Sequence, residues 1–233
     1  MIRQVSDKIY NIIKKWIIKK PASIRGRVMR CGNDYGGFDV CSRMLKEQKS
    51  VVYSFGIGED LSFSEDILRN FNADIYAFDP TPKAIQYVKG NPIYHNEHFH
   101  FYEYALGTSD GKILFHLPIN ENHVSGSLMI HKNVQSKGIE VEQKCILSIM
   151  RELGHTQIDI LKIDIEGSEF SVIEDVLNNN ILVRQICVEI HDRFFKDGLI
   201  RVRKMFRMLR DKEYVLVSVA SGLNEFTFVN LER

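Results

Sequence analysis

The chain has 233 residues, with 31 Lys and Arg against 30 Asp and Glu, a net charge of +1, and four widely spaced cysteines, Cys31, Cys41, Cys145 and Cys187. That length suits one α/β domain with a sizeable core, and the balanced charge gives no footing to general nucleic-acid binding, so no nucleic-acid partner is expected. Without a Cys-x-x-Cys pair or an apolar run of about 18 residues, a disulfide or zinc framework and a transmembrane span are both excluded, and a reduced, cytoplasmic protein is expected.

Residues 1–22 read as an N-terminal appendage. Ile2, Val5, Ile9, Ile12, Ile13, Trp16 and Ile17 recur at helical spacing, lysines fill the other face, and Pro21 stops the helix. Such a helix packs its apolar stripe on the domain or on a second copy in a homodimer. The alternative is a basic amphipathic helix lying peripherally on an anionic membrane, at its inner surface. Lys8, Lys14, Lys15, Lys19 and Lys20 leave no continuous apolar region for a secretory signal.

Residues 23–233 form a single domain. Gly26 to Asp39 is glycine-rich and is expected to be a loop. Strands are then expected over Val51–Phe55, Asp74–Phe78 and Phe99–Leu106, with helices over Phe63–Phe71 and Pro82–Lys89. Asp110-Gly111 turns a hairpin arm over Lys112–Leu117. Residues 118–143 are polar and irregular, suited to a lid or acceptor loop. A helix over Leu147–Leu153, a strand over Ile158–Ile163 and a helix over Phe170–Asn178 follow. Gln185–Ile190 is the next strand and Leu199–Arg210 the last helix, before an antiparallel pair, Tyr214–Val219 with Phe226–Val229. Alternating strands and helices specify an α/β fold, a mostly parallel sheet with helices on both faces.

Chemistry concentrates where the buried strands end. Val51–Phe55 runs into Gly56-Ile-Gly58, and glycines are needed where backbone approaches a ligand closely or takes positive φ. Asp79 ends the next strand 21 positions after Gly58 (79 − 58), placed to bond both hydroxyls of a ribose. Position 61 is Leu, not the third glycine of a dinucleotide fingerprint. Glu59 and Asp60 beside the turn repel a diphosphate and suit a cationic ligand, a sulfonium with an amino-acid ammonium, so the charge favours S-adenosylmethionine over NAD. The run Asp159-Ile-Leu-Lys-Ile-Asp-Ile-Glu-Gly-Ser-Glu169 is a buried strand that turns acidic at its end. Carboxylates there cost several kcal/mol unless a donor, cation or ligand meets them.

The combination of Ser54-Phe-Gly-Ile-Gly-Glu-Asp60, Tyr76-Ala-Phe-Asp-Pro-Thr-Pro82, Ala105-Leu-Gly107, Ile160-Leu-Lys-Ile-Asp-Ile-Glu-Gly-Ser-Glu169 and Val188-Glu-Ile-His191 resembles the FkbM-type methyltransferases over roughly residues 30–192. The resemblance implies a class I methyltransferase fold (a Rossmann-like sheet of seven strands), S-adenosylmethionine as donor, and transfer to an oxygen, often on a sugar or secondary metabolite. Carried over by position, Gly56 and Gly58 would contact the methionine part of the donor, with Phe55 and Glu59 also among the donor-binding residues. Asp79 and Pro80 would lie at the ribose, Ala105 and Leu106 near the adenine, and Asp164 beside both donor and acceptor. Asp164, Glu166, Glu189 and His191 would line the acceptor side. Many members carry an Asn after the first glycine pair and a further glycine two residues later, where this chain has Gly-Ile-Gly-Glu-Asp.

Methyl transfer to a hydroxyl needs in-line geometry and a group to take the proton. His191, with an ordinary imidazole pKa near 6.5, is the expected general base, oriented by Glu189 or Asp164. The weaker alternative is a divalent ion held by Asp164, Glu166 and His191; no metal is expected. Glu169 is expected to complement the N-terminal charge of its helix. His95, His98 and His100 lack zinc spacing and read as a polar strand entry. Ser125-Gly-Ser127 is a candidate acceptor contact, and Arg201, Arg203, Lys204, Arg207 and Arg210 make the last helix basic. The expected partner is a small-molecule or glycan acceptor. Competing readings are an NAD-dependent oxidoreductase and a catalytically silent, donor-binding adaptor at a membrane or partner surface.

Overall fold

A computed structural model of the protein describes residues 2–18, 20–22, 28–45, 49–118 and 134–231. Helix α1 (Ile2–Ile18) is followed by a hairpin of β1 (Val28–Cys31) and β2 (Phe38–Cys41). The chain then alternates through β3 (Ser50–Phe55), α2 (Ser62–Asn70), β4 (Ala73–Phe78), α3 (Pro82–Gly90) and β5 (Phe99–Tyr102). Three strands leave the main sheet, β6 (Tyr104–Leu106), β7 (Gly111–Pro118) and β8 (Val134–Lys144). Alternation resumes with α4 (Ile146–Leu153), β9 (Ile158–Ile163), α5 (Glu169–Asn178), β10 (Val183–Glu189) and α6 (Gly198–Asp211), and ends with β11 (Tyr214–Val219) and β12 (Glu225–Asn230).

The main sheet has seven strands in the order β5-β4-β3-β9-β10-β12-β11. Only β12 runs against its neighbours, which gives the antiparallel C-terminal pair expected from the pattern and the sheet expected from the resemblance. Strand alternation supplies two core layers. Along β3, Tyr53 and Phe55 face Ile149 of α4, Ile173 of α5 and Val202 of α6. Val52 faces the other way, toward Val40 of β2, Ile67 of α2 and Val88 of α3. Central β9 is buried along its whole length, which is why its sequence is a continuous apolar run.

Four local expectations change. The glycine-rich stretch expected as a loop holds the β1–β2 hairpin, pinned across the sheet where Gln185 bonds the Cys41 backbone N–H at 3.0 Å and Thr227 donates to the Asp39 carbonyl at 2.6 Å. The run 99–106 splits at Glu103, because β5 pairs with β4 while β6 pairs with β8. Asp110-Gly111 therefore does not turn a hairpin back onto β6; β7 pairs antiparallel with β8 instead. Within 118–143, residues 134–143 belong to β8, and the remainder of that stretch, Ser125 and Ser127 included, lies outside the described residues. All four cysteines are free; Cys31, Cys41 and Cys187 are buried and Cys145 is partly buried.

Helix α1 packs on the domain through a buried ion pair. Lys14 is 3 % exposed and bonds Asp192 at 2.7 Å, while the Tyr10 hydroxyl donates to the other Asp192 oxygen at 2.6 Å. Burial pulls the Lys14 ammonium below its usual range, with Asp192 opposing. Lys14→Ala strands a buried carboxylate and is expected to cost about 3 kcal/mol, read as a lower urea midpoint at constant m-value. Lys14→Met combined with Asp192→Asn should restore most of the loss. An unchanged midpoint in the single variant would mean that apolar contacts alone hold the helix.

Candidate active site

The C-terminal ends of β3, β4, β9 and β10 reach one level, and a cavity of about 210 Å³ opens there. This is the crevice where open α/β sheets take ligands. Its floor is the loop after β3, where Gly56 and Gly58 have φ of +76° and +55°. At Gly56 a side chain is barred twice, by φ and because a Cβ would lie 1.6 Å from the Asp164 carbonyl oxygen. Lys162, a charge inside β9, donates to the Gly56 carbonyl at 2.6 Å and anchors the loop from below.

Asp79 braces the same loop. One carboxylate oxygen accepts from the backbone N–H groups of Ile57 and Gly58 at 3.0 and 2.9 Å. The other accepts from the Thr81 N–H at 2.9 Å and the Thr81 hydroxyl at 2.6 Å. A carboxylate has about four lone-pair sites, so both oxygens are fully engaged. Asp79, expected at a donor ribose, thus already accepts four hydrogen bonds within the chain, and a ribose hydroxyl would reach it by displacing the rotatable Thr81 hydroxyl.

Phe55, Phe78, Ala105, Leu106 and Phe115 form the apolar wall, with Pro80 at its edge. Phe55 stacks on Phe78 at 4.4 Å, and Phe78 on Tyr102 at 5.3 Å between ring centroids. Glu59 is exposed and does not line the cavity; as the turn leaves the floor, its side chain goes to solvent. Asp60 lines the cavity, but its carboxylate accepts from the Ser62 N–H at 2.8 Å, at the start of α2, and from the Asn33 side-chain amide. Tyr35 and Gly36, from the turn between β1 and β2, close the opposite rim.

The acids that face the cavity are Asp164 and Glu166 after β9 and Glu189 at the end of β10, joined by His191. Glu166 has φ of +53°, an uncommon conformation for a residue with a side chain. His191 Nδ1 lies 2.8 Å from Glu169 Oε1, and Nε2 lies 3.4 Å from Glu166 Oε2. Glu169 is 0 % exposed and accepts from the Gly167 and Ile165 N–H groups at 2.9 and 3.3 Å.

Burial disfavours the charged imidazole, but the hydrogen bond to Glu169 and the charges of Glu169, Glu166 and Asp164 outweigh it, and the His191 pKa is pushed up to about 10. Burial raises the Asp164 carboxyl well above the usual carboxylate range; Lys162 opposes this, and Glu189 and Glu166 add to it. Burial also raises Glu189, which accepts from the Asn224 amide at 2.6 Å. The raised His191 pKa favours the protonated ring and weighs against a resting general base. Glu169 lies in the first turn of α5, as expected, and its carboxylate also meets His191 at 2.8 Å.

Asp164, Glu166 and His191 bring ligand atoms within 4.8 Å of one another, residue types that a divalent cation takes once the imidazole loses its proton. The His98 and His100 pair has other uses: His98 bonds Asp74 at 2.9 Å and His100 stacks on Tyr76 at 4.8 Å. Sequence reasoning missed Glu169, Lys162 and Tyr35 as parts of the site. Lys162 had a signal, a charge in the middle of an apolar strand. For Glu169 the spacing from Glu166 says only that it opens a helix.

Residues 50–216 match the methyltransferase FkbM domain. A probable methyltransferase-like protein 24 of Homo sapiens is 24% identical over 152 residues, covering 64% of this chain and 35% of that protein. The 2-O-methyltransferase NoeI of Sinorhizobium fredii is 24% identical over 188 residues, covering 74% of this chain and 76% of NoeI. The chain thus spans about a third of the human relative's length and about three quarters of NoeI's. Among solved structures, the fibrillarin/Nop5p complex has a TM-score of 0.46 at 10% identity, covering 79% of this chain and 72% of that one.

The His191 ring is expected to titrate near pH 10 in histidine NMR spectra, against about 6.5 in the unfolded chain. Because the folded value is the higher one, its contribution to stability is complete below about pH 6.5 and is lost as pH rises through about 10. Glu169→Gln should lower the ring's midpoint. A wild-type midpoint near 6.5 would show that the two carboxylates do not hold the proton.

Proposed function

Because this chain belongs to the FkbM methyltransferase family, we propose that it transfers the methyl group of S-adenosylmethionine to a hydroxyl of a saccharide or similar metabolite. The observation that carries the reading is a glycine loop and a carboxylate cluster facing each other across one cavity. When bound, the donor supplies an electrophilic methyl on a sulfonium beside an ammonium group. Asp164, Glu166 and Glu189 complement those positive charges, and the apolar wall of Phe55, Phe78, Ala105 and Leu106 suits a flat base. The same acids repel a diphosphate, which counts against an NAD-dependent oxidoreductase. The name of NoeI, a 2-O-methyltransferase, supports oxygen as the acceptor atom.

The residues divide the work as follows. The Gly56–Gly58 loop, braced by Asp79 and Lys162, would hold the donor's methionine end in a fixed place. An acceptor hydroxyl that took the donor's methyl would have to lose its proton to a group on this chain. Asp164, with its carboxyl raised by burial, takes that proton. His191, protonated between Glu169 and Glu166, offsets the negative charge of the cluster and orients Glu166. A silent adaptor has no use for clustered, partly buried acids that cost free energy to hold.

Calorimetric titration with S-adenosylmethionine, S-adenosylhomocysteine and NAD tests the donor. Binding of both adenosyl ligands but not NAD is expected, with affinity lowered more than about tenfold by Gly56→Ala. Binding of NAD alone, or indifference to Gly56→Ala, would overturn the reading. With an acceptor in hand, Asp164→Asn should lower kcat by about a hundredfold or more. It should also remove the rise of kcat with pH that follows ionisation of the raised carboxyl. Retention of that rise in the variant would move the base elsewhere.

A further inference from the structure

Helix α1 is amphipathic but mounted inside out. Its polar side chains face the domain: Lys14 and Tyr10 bond Asp192 at 2.7 and 2.6 Å, and Asp7 and Asn11 accept from the Arg193 guanidinium at 2.7 and 2.9 Å. Four of its apolar side chains look outward, Trp16 at 82%, Ile12 at 56%, Ile9 at 53% and Ile13 at 44% exposed, while Ile17 and Ile18 pack on the core. Single exposed apolar residues are ordinary, but four on one helix face around a bare indole are not. Beside Ile13 and Trp16 runs a groove of about 810 Å³ between α1 and α6, bordered by Phe206 and by Ile200, itself 71% exposed.

The surroundings are basic. Among the described residues, Lys8, Lys15, Lys20, Arg203 and Arg207 form no ion pair. The neighbouring acids Asp7, Asp197, Glu174 and Asp211 are engaged by Arg193, Arg201, Lys204 and Arg210. An apolar face framed by unpaired cations complements a surface that is anionic outside and apolar just beneath. Tryptophan favours such a boundary, and lysines reach back to the charged layer while their stems stay in apolar surroundings. A second copy would set the same basic rims against each other, a repulsive arrangement in a two-fold contact. No helix among the described residues is long and apolar enough to cross a membrane.

We propose that the outward face of α1, with the adjoining edge of α6, docks the protein on an anionic lipid bilayer. The inward face of the same helix grips Asp192, the residue after His191, so the docking helix is anchored to the segment that carries the imidazole.

Trp16 is the one tryptophan in the chain and reports directly. With vesicles of phosphatidylglycerol and phosphatidylcholine in about equal parts, its emission should shift to the blue and the protein should sediment with the lipid, both effects weakening with salt. Vesicles of phosphatidylcholine alone should give neither. Ile12→Asp and the pair Arg203→Glu with Arg207→Glu should each lower partitioning by more than about tenfold, at unchanged thermal midpoint and donor affinity. Emission unmoved by anionic vesicles would overturn the proposal even if every variant misfolded. So would an equal shift with neutral lipid, or a concentration-dependent dimer in sedimentation velocity that Ile12→Asp abolishes.

Discussion

The approach of Gly56 to Asp164 governs the geometry of the site. Strands β3 and β9 are parallel neighbours whose carboxyl ends stop at the same level, so the loop leaving one must lie against the backbone leaving the other. The Asp164 carbonyl sits where a Cβ on residue 56 would be, and Gly56 takes positive φ to turn beneath it. Glycine alone meets both demands. Because that contact is backbone to backbone, the cavity floor and the acidic cluster hold a constant separation, and Lys162 and Asp79 tie the loop at its two shoulders. A site that must align three atoms for transfer depends on such rigidity.

The second organising feature is a pair of buried ionic contacts set back to back. His191 turns toward Glu169 and Glu166 at the cavity, and Asp192 turns toward Lys14 and Tyr10 of α1. Buried ion pairs contribute little net stability compared with apolar packing, yet breaking one strands a charge at a cost of about 3–5 kcal/mol. Their effect is therefore positional. The segment after β10 is gripped from both sides, which fixes the imidazole where three carboxylates meet, and the N-terminal helix becomes part of the support of the site while its other face stays free.

Much of the fold was legible locally. The apolar run of β9, the Asp79-Pro-Thr-Pro82 stop before α3 and the periodicity of α5 and α6 placed those elements within one or two residues of their observed bounds, because each signal is a property of adjacent residues. The acidic strand ends were legible too, since a parallel sheet delivers them to one edge. What failed was non-local. The glycines of the first hairpin looked like loop because its strands are stabilised by Gln185 and Thr227, far along the chain. The pairing of β6 with β8 likewise depends on a partner that no short window contains.

The sequence by itself determined the alternating architecture, the glycine floor and which acidic residues gather at the carboxyl edge, for periodicity and strand-end chemistry are written in neighbouring residues. Only the tertiary structure decided how those residues are charged and which way they face. It turned Glu169 into the dark side of His191, sent Glu59 to solvent, saturated Asp79 with loop donors and mounted α1 with its polar face inward. Protonation and side-chain direction follow from the dielectric and the partners that distant segments bring, and those exist once the chain has packed.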